Sequence, residues 1–269
     1  MIPHIIHYCW FGKKEMPGLA ERCIASWKEY MPEWEIRRWD ETNFDVFSAP
    51  LYVRQAYEAK KYAFVSDYVR LWVLEQFGGL YMDVDFMVYR PFDELMEKYA
   101  AFAGYEGSKR QPVMMGVIAS EAHGAWVRDM LGTYESRTFV LPDGKLDLTP
   151  NTGYFTDRLE AQGFVADGCE KDVWVKSDGV SDIKNGGVNC ESSLNIKPST
   201  LNIYYLHVFP VEYFCPVLTT GEDVRTAETY CEHMGESSWA KKNWKARLLS
   251  CVSPEWRTRV IKCKRRIMG

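Results

Sequence analysis

Two carboxylates stand two residues apart in the apolar segment GGLYMDVD, which covers residues 78–85. Bare carboxylates are costly to bury among apolar neighbours, and a divalent cation is a common compensation. Oxygen ligands favour Mg²⁺ or Mn²⁺, and these ions bind phosphates. Asp83 and Asp85 therefore predict a metal site that could hold a diphosphate. A D-x-D triplet by itself is common, and it could equally border a turn at the end of a strand.

The residues before the triplet make the metal interpretation more specific. Asp67 and Arg70 lie three residues apart and share one face of a predicted helix that ends at a glycine pair. On the predicted strand that follows, Tyr81 alternates onto the same side as both carboxylates. Because the glycine turn brings the helix end next to the strand start, an acid, a guanidinium, a phenol and two carboxylates are expected to converge.

The elements that must position these side chains indicate an α/β domain. The predicted strands lie at 2–12, 34–39, 80–88, 101–106, 112–120 and 203–209, and the predicted helices at 19–30, 52–62, 66–77, 123–134 and 152–162. Residues 163–199 are polar and bear Gly and Asn, which favours loops and short strands. His4 and His7 on the opening strand are expected to be buried and hydrogen-bonded.

The composition indicates one principal domain. The chain has 269 residues, of which 46% are hydrophobic and 26% charged, and this suffices for one sizeable core. We predict that the domain covers 1–239 and that 240–269 form a separate tail. The 10 Trp, 16 Tyr and 13 Phe residues exclude a disordered chain and suit a protein that binds flat or ring-shaped ligands.

The tail at 240–269 is basic, with one acidic residue, Glu255, although the net charge of the chain is −4. An acidic body with a basic tail does not predict a nucleic-acid binder, whose basic residues would line its own cleft. Trp and Leu alternate with Lys and Arg in the tail, which is typical of a helix on an anionic membrane surface, here divided at Pro254. The alternative is a tail that packs on the acidic body.

The sequence predicts a cytoplasmic protein that associates peripherally with the inner face of the cell membrane. No apolar run is long enough for a membrane span, and the first residues lack the basic start and cleavage site of a signal peptide. The eight cysteines are scattered without a CxxC pair, so we expect reduced, mostly structural thiols.

The runs SDYVRLWVLEQFGGLYMDVD at 66–85 and IPHIIHYCWFG at 2–12 resemble a known family. They are similar to the DXD-containing glycosyltransferases grouped with the yeast initiating mannosyltransferases and bacterial capsular polysaccharide transferases (glycosyltransferase family 32). The large clostridial glucosylating toxins are more distantly similar. The similarity is strong over about 1–90 and weaker at 213–239. It implies a GT-A type α/β sandwich with a mixed central sheet and a helical C-terminal extension.

The resemblance implies roles for residues that match the family's motifs. Asp83 and Asp85 match the metal-binding pair, with Asp85 as the direct ligand and Asp83 holding the ribose or a metal-bound water. Asp67 and Arg70 match the pair that binds the hydroxyls and the diphosphate side of the donor sugar, and Tyr81 matches the aromatic position beside them. The alternatives are that Arg70 only neutralises Asp67 and that Tyr81 belongs to the core.

Residues distant from the triplet complete the expected site. Trp10 resembles the residue that stacks on uracil, with core packing as the alternative. His233, Ser238 and Trp239 match a C-terminal signature that closes over the diphosphate and completes the metal shell, although a surface histidine is the alternative for His233. Asn151 opens a triplet that resembles a family turn near the acceptor, with Tyr where the family often has Pro.

The resemblance implies a metal-dependent retaining glycosyltransferase. It would move a hexose or N-acetylhexosamine from a UDP-sugar to a saccharide acceptor, with Mn²⁺ or Mg²⁺ as cofactor. The expected acceptor is carried on a lipid such as undecaprenyl diphosphate, in capsule or surface polysaccharide synthesis. No carboxylate stands out as a covalent nucleophile, so we expect a front-face reaction in which the donor phosphate deprotonates the acceptor hydroxyl. A cytosolic protein-modifying glycosyltransferase and a non-catalytic nucleotide-sugar-binding module are the alternatives.

Overall fold

The computed structural model describes residues 1–107, 112–176 and 203–235. Within these ranges the strands are β1 (Ile5–Cys9), β2 (Glu35–Trp39), β3 (Gly79–Met82), β4 (Phe86–Val88), β5 (Ala101–Gly104), β6 (Val117–Ser120), β7 (Lys171–Lys176), β8 (Ile203–Phe209) and β9 (Cys231–His233). The α-helices are α1 (Gly18–Tyr30), α2 (Leu51–Glu58), α3 (Tyr62–Phe77), α4 (Asp93–Lys98), α5 (Ala125–Gly132), α6 (Asn151–Glu160) and α7 (Val211–Phe214).

A central sheet of seven strands has the order β2-β1-β3-β6-β5-β8-β7. β1 pairs in parallel with β2 and β3, whereas β6 runs antiparallel to both β3 and β5. β8 is parallel to β5 and antiparallel to β7. The sheet is therefore mixed, and the predicted α/β sandwich with a mixed central sheet is confirmed. Because β1, β2, β3, β5 and β8 point the same way, their carboxyl ends lie at one edge of the sheet, where α/β proteins bind ligands.

Alternating strand side chains supply two hydrophobic cores, one on each face of the sheet. On β3, Tyr81 belongs to the core that also contains residues of α2, α3, α5 and α6. Leu80 and Met82 belong to the other core, with residues of α1, α4 and α7. The ring of Tyr81 is thereby directed to the face that α3 covers.

The glycine pair between α3 and β3 is required both by conformation and by space. The backbone φ is +64° at Gly78 and +111° at Gly79, in the region that glycine favours. A Cβ on Gly78 would lie 2.6 Å from the backbone nitrogen of Ala122, and a Cβ on Gly79 would lie 2.7 Å from the carbonyl oxygen of Ile5. The pair ends α3 and lets β3 lie against β1, as the sequence predicts.

The strand predicted over 80–88 is interrupted at the D-x-D triplet. The chain turns there, and the Phe86 amide donates to the Asp83 carbonyl at 3.2 Å. β4 then leaves the central sheet and pairs with β9 in a separate two-stranded sheet. The expected alternation of Tyr81, Asp83 and Asp85 along one strand is therefore wrong, because only Tyr81 lies within β3.

The predicted tail at 240–269 lies outside the described residues, as do Ser238 and Trp239. The domain boundary at 239 and the helical C-terminal extension stay predictions. Among the helices that the structure describes, none has the length and apolar character that crossing a membrane requires. Five cysteines fall in the described ranges and are in the thiol form: Cys9, Cys23, Cys169, Cys215 and Cys231.

His7 is a buried histidine with a defined tautomer. Its Nδ1 accepts a hydrogen bond from the Trp39 indole at 3.0 Å, so the proton is on Nε2, which donates to the Gly78 carbonyl at 2.9 Å. Burial lowers the pKa of His7 from 6.5 to about 4, because the imidazolium would lose its water shell. The expectation of a buried histidine is wrong for His4, which is exposed and stacks on Trp34 at 4.7 Å.

We expect His7 to make the protein less stable in acid. The unfolded chain protonates this histidine near pH 6.5 and the folded chain only near pH 4. The contribution of His7 to the free energy of unfolding is therefore fully present above pH 6.5 and is lost as the pH falls towards 4. The shift corresponds to about 3 kcal/mol in the free energy of unfolding. Urea denaturation across this pH range should show a shallower acid dependence for His7→Gln, whose amide can keep both hydrogen bonds without titrating. If the free energy of unfolding depends on pH equally in the variant and the wild type, His7 is not the group responsible for the loss of stability in acid.

Candidate functional site

Arg70 on α3 lies at the centre of the site and is only 6% exposed. Its Nη2 lies 2.9 Å from Oδ1 of Asp67 and 3.5 Å from Oδ1 of Asp83, and its Nη1 donates to the Met115 carbonyl at 2.6 Å. The guanidinium carbon lies 4.9 Å from the centre of the Tyr81 ring, within cation–π range. The guanidinium thus joins α3 to the carboxyl end of β3, and the structure brings these predicted site residues together.

Burial of this cluster shifts the ionisation of both acids. Burial raises the pKa of Asp67 to about 6, with the charge of Arg70 acting in the opposite direction. Burial also raises the pKa of Asp83, again opposed by Arg70 and reinforced by the charge of Asp85. The Tyr81 hydroxyl donates to Oδ1 of Asp83 at 2.8 Å and holds that carboxylate in place. One guanidinium therefore faces more than one carboxylate.

His233 reaches the triplet from the other end of the chain. The β4–β9 pairing places Phe86 opposite His233, whose ring stacks on that phenyl at 4.8 Å. The Nε2 of His233 lies 3.1 Å from Oδ2 of Asp85, a residue 148 positions away. Burial lowers the pKa of His233, but hydrogen bonds with Asp85 and Cys215 outweigh this and raise it well above its ordinary value. The Asp85 carboxylate accepts this hydrogen bond, so Nε2 of His233 carries a proton.

The donor atoms at the triplet fit a divalent cation. Asp83 and Asp85 offer carboxylate oxygens and His233 offers an imidazole nitrogen, a set that Mn²⁺ accepts. A cation would also relieve the repulsion between the two carboxylates, which Arg70 balances only in part. The described ranges hold no group of three such side chains already arranged to bind an ion. Because His233 donates to Asp85, binding a cation there requires the histidine to lose its proton.

The start of α6 also contacts Asp67. The side-chain amide of Asn151 donates to the backbone carbonyl of Asp67 at 3.2 Å, and the Asn151 backbone acts to lower the pKa of the Asp67 carboxyl. Asn151 is 3% exposed, and its Oδ1 has no hydrogen-bond partner among the described residues. Asn151, which the sequence placed near the acceptor, therefore lies directly beside the residue expected to bind the donor sugar.

Trp10 follows β1 at the same edge of the sheet. It is half-buried, and its indole donates to the Lys14 carbonyl at 2.7 Å. Its backbone amide donates to the Trp39 carbonyl at 2.9 Å. Because Trp10 belongs to neither core, its ring is suited to stack on a flat ligand rather than to fill the interior.

We expect Trp10→Ala to weaken donor binding more than turnover. Stacking on a nucleobase binds the ground state and the transition state alike, so the KM for the UDP-sugar that the resemblance implies should rise about tenfold, or about 1.4 kcal/mol, while kcat falls less. Steady-state kinetics check this, with Trp10→Phe as the matched control because it keeps a flat ring. An unchanged KM together with a lower melting temperature would assign Trp10 to packing.

Glu106 is a further candidate that the sequence analysis missed. It lies just beyond β5, at the edge where β1 and β3 also end. Burial raises its pKa, and the charges of His233 and Asp83 act on it. The signal available in the sequence was an acid at the end of a predicted strand, but strand order was needed to place it beside the triplet.

Residues 17–102 match the family model described as "Glycosyltransferase sugar-binding region containing DXD motif". This range contains Asp67, Arg70, Tyr81 and both carboxylates of the triplet. The matched segment is therefore similar to the sugar-binding region of DXD glycosyltransferases. The predictions of a transferase and of a DXD motif are thereby confirmed. No curated protein matches the chain.

Solved structures show distant similarity to this chain. "PaToxG Glycosyltransferase" is 18% identical with a TM-score of 0.38, over 49% of this chain and 59% of that one, which is less than two thirds of its length. The galactosyltransferase LgtC, solved with donor and acceptor sugar analogues, is 16% identical with a TM-score of 0.34, over 57% of this chain and 71% of LgtC. A transferase mutant with two Cys-to-Ser substitutions is 8% identical with a TM-score of 0.37, over 59% of this chain and 85% of that one.

Proposed function

We propose that this chain is a metal-dependent retaining glycosyltransferase of family 32. It would move a hexose or N-acetylhexosamine from a UDP-sugar to a saccharide acceptor. The observation that carries this proposal is the buried Arg70, which gathers Asp67, Tyr81 and Asp83 into one cluster inside the matched sugar-binding region. Asp85 follows this cluster in the chain and is hydrogen-bonded to the imidazole of His233, which lies 148 positions further on.

The residues of the cluster have distinct parts in the proposed reaction. Asp83, Asp85 and His233 would hold Mn²⁺ or Mg²⁺, which supplies positive charge for the departing diphosphate. Arg70 contacts two carboxylates and a carbonyl and so sets their positions. The Asp67 side chain is 13% exposed, and it offers the sugar hydroxyls a carboxylate held by Arg70.

In the proposed front-face reaction, the acceptor oxygen bonds to the anomeric carbon while the bond from that carbon to the UDP oxygen breaks. The proton of the acceptor hydroxyl passes to the departing phosphate. Catalysis then consists mainly of stabilising negative charge on the leaving group. Retention in this scheme is supported by the family resemblance.

A panel of UDP- and GDP-sugars, incubated with and without Mn²⁺, tests the proposal. We expect Mn²⁺-dependent release of UDP from at least one UDP-sugar, and an added chelator should stop it. Binding without turnover of any sugar nucleotide would favour a non-catalytic module. Transfer of labelled sugar to a protein instead of a saccharide would favour the protein-modifying alternative.

We propose that the enzyme works at the inner face of the cell membrane, on a lipid-linked acceptor such as undecaprenyl diphosphate saccharide, in capsule or surface polysaccharide synthesis. The support is the composition of the tail at 240–269, where Trp244, Leu248, Leu249 and Trp256 lie among basic residues. Each cation near a strongly anionic surface adds up to about 1 kcal/mol of binding.

We expect the protein to sediment with anionic vesicles and not with neutral ones. Because the attraction of Lys and Arg to the lipid is screened by salt, about 0.5 M salt should release the protein. A chain ending at Trp239 should stay in the supernatant and still hydrolyse the UDP-sugar. Absence of binding to anionic vesicles at low salt, or unfolding of the shortened chain, would favour a tail that packs on the domain.

A further inference from the structure

The position of Glu106 is fixed by backbone hydrogen bonds on both sides. The Tyr105 amide donates to the Phe209 carbonyl at 3.0 Å, and the Glu106 amide donates to the Pro112 carbonyl at 2.8 Å. The carbonyl of the next residue, Gly107, accepts a hydrogen bond from the Thr219 amide at 2.9 Å. The Glu106 carboxylate is therefore carried by an anchored segment of backbone.

The Glu106 side chain is half-buried at the edge of the sheet where the D-x-D triplet also lies. It lies near enough to His233 and Asp83 for their charges to act on it. In the described part of the chain, no hydrogen bond or ion pair involves the Glu106 carboxylate. A half-buried carboxylate with no partner among the described residues offers hydrogen-bonding capacity to a ligand.

The strand order places Glu106 on the side of the triplet away from Trp10. Trp10 follows β1, Asp83 follows β3 and Glu106 follows β5, and the strands run in the order β1-β3-β6-β5. Neighbouring strands are about 4.8 Å apart, so Glu106 and Asp83 start from positions about 10 Å apart along the edge. With the nucleobase on Trp10 and the diphosphate at the triplet, the anomeric carbon and its attacking group lie towards Glu106.

We propose that Glu106 binds the attacking hydroxyl of the acceptor and that this hydroxyl belongs to a neutral sugar. The inference rests on the proposed function above. The hydroxyl donates to the Glu106 carboxylate, which orients its oxygen towards the anomeric carbon. The new C–O bond forms, the bond from the anomeric carbon to UDP breaks, and the proton leaves with the phosphate. A phosphate or carboxylate on the acceptor at this point would be repelled by the acids of the site.

Hydrolysis of the UDP-sugar tests this role without knowledge of the acceptor, because water then takes the place of the hydroxyl. For Glu106→Ala, kcat should fall at least about tenfold, the loss expected for a hydrogen bond to a charged group. The KM for the donor should stay within about threefold of the wild-type value, because Glu106 does not take part in binding the donor in the ground state. Glu106→Gln keeps a carbonyl acceptor and should lie between wild type and Glu106→Ala. Formate should restore part of kcat to Glu106→Ala and none to Glu106→Gln.

Three further measurements separate this role from its rivals. Mn²⁺ affinity, measured with the metal alone by electron paramagnetic resonance, should be unchanged, and a loss of affinity would make Glu106 a metal ligand instead. The control Glu222→Gln, at an exposed position, should match wild type. An unaltered kcat in Glu106→Ala, or a loss that formate leaves in place along with a lower melting temperature, overturns the inference. If the wild-type chain turns over no UDP-sugar, the proposed function itself fails.

Discussion

Asp85→Asn is expected to lower turnover of the UDP-sugar by about 100-fold or more while leaving the melting temperature close to that of wild type. The substitution keeps the volume of the side chain and removes the charge that attracts a divalent cation, a contribution of several kcal/mol to the transition state. The Asp85 side chain is 15% exposed and lies in a turn outside both cores. The loss should therefore appear in activity and not in folding.

The measurement is UDP release at saturating Mn²⁺, together with thermal denaturation of both proteins. A chelator added to wild type should reproduce the effect of Asp85→Asn. Asp143→Asn serves as the matched control, because Asp143 lies on an exposed turn beside Lys145. More than a tenth of wild-type turnover in Asp85→Asn would show that Asp85 is not the metal ligand.

Arg70→Met is expected to damage both stability and activity. Removing the guanidinium leaves two partly buried carboxylates without their cation, and loss of one partner from a buried ion pair costs about 3–5 kcal/mol. The Asp83 side chain is 34% exposed, so the loss should fall at the lower end, at about 3 kcal/mol. Arg70→Lys keeps the charge, but a single ammonium cannot contact Asp67, Asp83 and Met115 together. It should be more stable than Arg70→Met and equally poor in transfer.

Urea denaturation at neutral pH and steady-state kinetics measure these effects. The double variant Arg70→Met with Asp67→Asn tests whether unpaired carboxylates cause the loss of stability, because it removes one of the two carboxylates that Arg70→Met leaves without a cation. It should be more stable than Arg70→Met alone, as a double-mutant cycle would show. If Arg70→Met unfolds at the same urea concentration as wild type, the carboxylates do not depend on the guanidinium in the way that the distances indicate.

The sequence alone was sufficient for the parts of the site that depend on local geometry. Asp67 and Arg70 share a helix face because residues three apart always do so in an α-helix. The glycine pair ends that helix because the next residues need positive φ and have no room for a Cβ. Tyr81 lies on the opposite face of β3 from Leu80 and Met82 because side chains alternate along a strand. Each of these relations spans a few residues, so the residue types and their spacing determine it.

The tertiary structure alone decided which distant residues join the triplet. The chain turns at the D-x-D triplet because β4 pairs with β9, and this pairing carries His233 to Asp85. Glu106 lies at the same edge of the sheet as the triplet because β5 runs parallel to β3, with β6 between them. Asn151 meets Asp67 because α6 packs over the same face as α3. Strand order and helix packing are set by burial of apolar surface across the whole domain, and no local spacing in the sequence records them.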